Sequence, residues 1–141
     1  MGSYSFFDHT ADIGVELRAE NRAGLFYESI RALFFILTGK DVNEIHLERK
    51  SLAKRKAKIK YDNLDDALID FLNHLVFVVD TEHILPCDGF IKIKRHSIRS
   101  RVTFLKDNRH LIQREVKAAT FHNFKIEKYK NGLKTRITFD I

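Results

Sequence analysis

A single cysteine, a single proline and no tryptophan mark this 141-residue chain. One thiol cannot form an internal disulfide, so no disulfide framework holds the fold and nothing calls for an oxidising compartment. That thiol, Cys87, sits in Pro86-Cys87-Asp88-Gly89, which reads as a loop entering a strand. An acid beside a thiol raises its pKa, which argues against a nucleophile there. With only six glycines, few residues loosen or break the chain. No run approaches the ~20 apolar residues of a membrane span, and no basic stretch ahead of an apolar core marks a secretion signal. The expectation is a cytoplasmic protein that does not use a membrane. Also missing are a Gly-x-x-x-x-Gly-Lys phosphate loop, an HExxH zinc motif and a recognisable Cys-His nucleophile pair. Chemistry, if any, is lent to another protein, so the chain is not expected to be an enzyme on its own.

What is present is an ordered, basic chain. Hydrophobic residues make up 44% of it, including twelve phenylalanines, enough for one domain over residues 1–141 with its own core. The formal net charge is +6, with a sequence pI near 9.5, which favours contact with RNA or with an acidic protein surface without choosing between them.

Periodicity supplies the elements. Ile13, Val15, Leu17 and Ala19 alternate with Gly14, Glu16 and Arg18, as in a strand with one buried face, and Asp8 to Asp12 form the turn feeding it. Asn21 caps a helix from Arg22 whose apolar stripe is Phe26, Ile30, Leu33, Phe34 and Leu37, with the opposite face polar and Gly39 as its stop. Residues 52–61 read as a strand with Lys54, Lys56, Lys58 and Lys60 along one face. Asn63 caps a second helix striped by Leu64, Leu68, Phe71, Leu72, Leu75 and Val79 and ending around Asp80. Residues 89–106 read as two strands joined near His96 to Arg99. In the last hairpin, a strand from Phe124 to Lys128 turns at Asn131-Gly132, and the strand to Ile141 keeps Asp140 on its polar face. The fold class is therefore α+β, mostly antiparallel sheet packed with two helices.

Asp8-His9-Thr10-Ala11-Asp12-Ile13-Gly14-Val15 opens the chain, and Phe139-Asp140-Ile141 closes it. Read as residue types alone, Asp12 is a turn acid and Asp140 a solvated end, or else the two contribute to an oxygen-rich cation site. Together with Asn63-Leu64-Asp65-Asp66-Ala67-Leu68, Asp80-Thr81-Glu82 and Ala119-Thr120-Phe121-His122-Asn123, these segments resemble the archease family in order along nearly the whole chain. The resemblance implies nested strand-helix-strand-strand modules. It also implies a metal site formed by Asp12, Asp140 and the Ile141 carboxylate. The implied function is that of a protein activator of an RtcB-type RNA ligase in tRNA splicing, promoting guanylylation and multiple turnover. Oxygen-only ligation favours calcium, with magnesium or manganese as other choices, over zinc. Contact with tRNA would be indirect or weak.

His9 and His122 are candidates to orient a carboxylate from behind, although a histidine bonded to a nearby carbonyl is the commoner arrangement. Lys54, Lys56, Lys58 and Lys60 are candidate RNA contacts, or else protect a sheet edge from association. The pattern shows no aromatic interleaving, so base stacking is not expected. The alternative function is a stand-alone RNA-binding module that uses this basic sheet face.

Overall fold

The computed structural model describes residues 2–7, 12–106, 108, 110–120 and 125–141. The elements run β1 (Ser3–Phe7), β2 (Asp12–Ala19), α1 (Arg22–Thr38), β3 (Leu52–Lys60), α2 (Leu64–Glu82), β4 (Leu85–Ile93), β5 (Ser97–Leu105), β6 (Ala118–Thr120), β7 (Glu127–Tyr129) and β8 (Gly132–Asp140). Short 3-10 turns at Val42–Glu44 and Arg49–Ser51 link α1 to β3. All strand pairs are antiparallel, in an α+β fold. A five-stranded sheet has β1, β2 and β8 side by side, and the far flank of β8 is shared by β7 near its start and β6 near its end. A three-stranded sheet, ordered β3-β5-β4, is built from one uninterrupted stretch that also contains α2. That strand-helix-strand-strand unit is inserted between α1 and β6 of the larger sheet, so the modules are nested.

The helix caps follow the sequence. The Asn21 side chain accepts from the Gly24 N–H at 2.8 Å, and the Asn63 side chain accepts from the Asp65 N–H at 2.8 Å. Gly39 closes α1 at φ 76, its N–H donating to the Phe35 carbonyl. α1 departs from the expected single stripe. Leu25, Glu28, Ser29, Ala32 and Ile36 are buried along with the stripe residues, because the helix packs against strands of both sheets, chiefly β2 and β4. A helix covered on two sides does not keep a polar face.

Three strand boundaries also differ. β1 was not legible as a strand, yet it pairs with β2 from Ser3↔Arg18 to Phe7↔Gly14. Pro86-Cys87-Asp88 lies inside β4 rather than in a loop, at a register irregularity where the missing proline N–H is tolerated. The last hairpin turns at Lys130-Asn131, one residue earlier than expected, with Lys130 at φ 54 and Gly132 already paired to Tyr129.

Side chains of α2 tie the two modules together. Asn73 donates to the Ala119 carbonyl at 3.0 Å and accepts from the Ala119 N–H at 2.8 Å, holding the edge strand β6 in place. Asp65 accepts from the Ile126 N–H at 2.6 Å, fixing the entry to β7. A single hydrophobic cluster runs through both sheets and both helices, with Phe26, Phe34, Phe71, Phe104 and Phe139 fully buried within it.

Candidate functional site

β2 and β8 lie side by side, and their register pairs Asp12 directly with Asp140. Directly opposed residues of an antiparallel pair project from the same face, their Cβ atoms ~5 Å apart. Two carboxylates from opposite ends of the chain therefore share one spot on the sheet. β6 flanks Asp140 on the other side, where Ala118 pairs with it and the Lys117 N–H donates to the Asp140 carbonyl at 2.8 Å. β8 ends at Asp140, and Ile141 follows it. Ile141 is 41% exposed, which departs from the inward place that alternation assigns it.

The adjoining row on this face is closed. Gly14 pairs with Thr138 on one side and Phe7 on the other, and a Cβ at Gly14 would run into the Phe7 ring. The Phe7 ring lies in that space, with the Arg136 guanidinium 5.0 Å from its centroid. Beneath, Thr138 is fully buried, and among the described residues its hydroxyl has no hydrogen-bond partner. One row further on, Glu16 accepts from Arg18 at 2.8 Å and from Arg136 at 3.1 Å. Burial acts to raise the Glu16 pKa, but the two guanidiniums outweigh it and hold this carboxyl below its ordinary value. The sheet face is thus acidic at the chain end and ion-paired at the middle.

Among the described residues, no group of three or more His, Cys, Asp or Glu side chains is arranged to hold a metal. The oxygens that could hold a cation here are the Asp12 and Asp140 carboxylates, with the Ile141 carboxylate the third that the resemblance implies. That set suits a hard cation and gives zinc no soft ligand.

Comparison with known proteins bears on this geometry. The family model described as the Archease protein family (MTH1598/TM1083) matches residues 4–141. The chain belongs to the archease family. Among its relatives, the protein archease of Pyrococcus abyssi is 28% identical over 138 residues, covering 94% of this chain and 93% of that one. The protein archease of Sulfurisphaera tokodaii is 30% identical over 135 residues, covering 93% of each chain. The solution structure of Methanobacterium thermoautotrophicum protein 1598 superposes with a TM-score of 0.76 at 28% identity over 98% of both chains. The crystal structure of an archease from Thermotoga maritima does so at 0.62 and 25% identity, over 96% of this chain and 94% of that one.

Asp8, His9 and His122 lie outside the described residues. Lys54, Lys56, Lys58 and Lys60 are exposed on β3, an edge strand of the smaller sheet, and so belong to a different sheet from the acids. Cys87 is buried and its pKa is pushed up to about 12, first by desolvation and then by Asp88, which removes it from nucleophilic chemistry. Among the described residues, no helix is long and apolar enough to cross a membrane.

Several residues of this archease-family fold escaped the sequence reading. Asn73 positions β6 beside Asp140, but a lone amide in a helical stripe gives no sign of its partner. Phe7 and Thr138 required the register. β3 itself carries no aromatic among its lysines, as expected, but Phe90 lies on the same sheet face. It comes from β4, which alternation within β3 alone does not reveal.

Proposed function

We propose that this archease-family protein activates an RtcB-type RNA ligase in tRNA splicing, promoting its guanylylation and multiple turnover, and does not itself catalyse joining. The observation that carries this reading is the register pairing of Asp12 with Asp140 at the chain end. In this proposal Asp12, Asp140 and the Ile141 carboxylate hold a divalent cation, calcium first and magnesium or manganese as substitutes. A divalent cation there supplies neutralisation of charge on phosphoryl oxygens during nucleotide transfer.

The residues do three things in this scheme. Asp12 and Asp140 present negative oxygens from neighbouring strands. The Asn73 clamp on β6 and the Phe7 cover over Gly14 keep those strand ends in place. The exposed terminus leaves the donor set open to a partner, since two or three acids fall short of the 6–8 oxygens calcium takes. An open set suits an activator whose site is completed by the ligase.

Multiple-turnover joining of RNA ends by the cognate ligase, with and without this protein, tests the proposal. Stimulation is expected for the native chain. Asp12→Asn and Asp140→Asn should each lower it at least ten-fold while circular dichroism stays unchanged, because both side chains lie outside the core. Ligation that is indifferent to the protein would overturn the reading.

A further inference from the structure

We propose that the outer face of the β3-β5-β4 sheet is a docking surface for single-stranded RNA, with Phe90 stacking on a base and the surrounding lysines and arginines contacting phosphates. The register builds this face. Lys56 pairs with Arg101, which pairs on its other side with Phe90, so these three form a row across the sheet. The next row is Lys58, Arg99 and Lys92. All six are exposed, and the opposite faces of β4 and β5 are buried against the core through Ile91, Ile98, Val102 and Phe104. Strands ~4.8 Å apart with same-face residues ~6.7 Å apart along each strand make a regular lattice of positive charge over these two rows, bordered in the next row by Lys54, Thr103 and the one acid Asp88. Among the described residues, none of these cations is held in an ion pair, whereas Arg18, Arg31, Arg55 and Arg136 all are.

Phe90 is 70% exposed, more than any other large apolar side chain among the described residues. Its position decides the class of partner. An apolar protein surface reaching this ring would have to strip water from Arg101 and Lys92, at a cost that contact with one phenyl ring does not offset. A nucleobase covers the ring while its own phosphates meet the cations, the combination that holds single strands on sheet faces. A duplex keeps its bases stacked inside and can use only the charges. The choice of RNA over DNA rests on the ligase-activator reading; the lattice and the ring do not.

The test is fluorescence anisotropy of a labelled single-stranded RNA dodecamer with the full chain, without ligase and without added divalent cation, so that its outcome is independent of the acidic site. Binding is expected to tighten as salt falls. Phe90→Ala should weaken it roughly ten-fold, within the ~1–3 kcal/mol range of base–aromatic stacking. Replacing Lys56 and Lys58 together by Gln should lower the salt slope by about 1.4, near 0.7 per phosphate contact. Because β3 is an edge, Arg99→Gln with Arg101→Gln on the central strand serves as a second charge variant, and size-exclusion elution confirms that each variant stays monodisperse. Asp140→Asn should bind as the native chain does. No binding at 50 mM salt, binding that is unchanged by Phe90→Ala, equal affinity for an RNA duplex of the same sequence, or tighter binding of a single-stranded DNA dodecamer of that sequence would overturn the proposal. Complete displacement by polyaspartate with no dependence on Phe90 would also overturn it and assign the face to an acidic protein.

Discussion

A methyl group added at Gly132 would collide with the Ala19 carbonyl oxygen, which belongs to the main chain and cannot rotate aside. Gly132 is therefore required for close approach of β8 to the end of β2, and the turn itself is made by Lys130 and Asn131. Gly132→Ala should destabilise the protein by roughly 2 kcal/mol in urea unfolding, as forced overpacking does. Gly39 is a glycine for the opposite reason. Nothing crowds it, but its φ of 76 strains a side chain, so Gly39→Ala should cost only about 1 kcal/mol. The pair separates steric from conformational demand in one experiment. The Asn-Gly pair correctly located the hairpin, yet for a reason the letters did not contain, since the contact with Ala19 exists only after β2 and β8 pair.

At the scale of elements, β6 is three residues long and sits at the edge of the larger sheet beside Asp140. So short a strand depends on Asn73, which satisfies both main-chain groups of Ala119. Asn73→Ala leaves an N–H and a carbonyl without that partner and should cost roughly 1–3 kcal/mol. Amide exchange at Ala119 should speed up more than at core strands, and ligase stimulation should fall while the two acids remain present. The other elements show what a single sequence can convey. β2 and β8 were legible because one face is buried and the other solvated, which forces alternation. α1 misled because it is covered from two sides, and β1 was missed because Tyr4 and Phe6 do not alternate cleanly with buried positions. Asp12 and Asp140 could be named from resemblance, but their adjacency is a property of sheet order. Phe90 joined the lysine ladder only across strands, for the same reason.

For the whole molecule, carboxylates held by guanidiniums govern the response to acid. The Tyr4 hydroxyl at 2.6 Å is the largest influence lowering the Asp41 pKa, and Arg31 at 2.9 Å adds to it. Glu16 is lowered by Arg136 and Arg18 against the opposing effect of burial. A group whose folded pKa is depressed contributes stability above its unfolded value and loses it as pH falls through the folded one. Starting from ordinary values of 4.5 for Glu16 and 3.8 for Asp41, their contributions should be intact near neutrality and lost progressively below about pH 4. Glu28 acts in the other direction, since burial raises its pKa and its protonation favours the folded state. Urea midpoints measured from pH 7 to pH 2.5 should therefore drop mainly below pH 4, and Asp41→Asn should flatten that drop. The molecule also separates its charges, with acids at the end of one sheet and unpaired cations on the face of the other, and the two proposed activities are assigned to those separate places.

Isothermal titration of calcium into the native chain and into a chain carrying one additional glycine after Ile141 tests the proposed cation site most directly. The extra residue converts the Ile141 carboxylate into an amide carbonyl and moves the negative charge one residue further on, while leaving every side chain as it was. The native chain is expected to bind one cation with modest affinity, and the extended chain to bind it at least ten-fold more weakly. Equal affinity in both would contradict ligation by the terminus, and no binding by either would contradict the cation site itself.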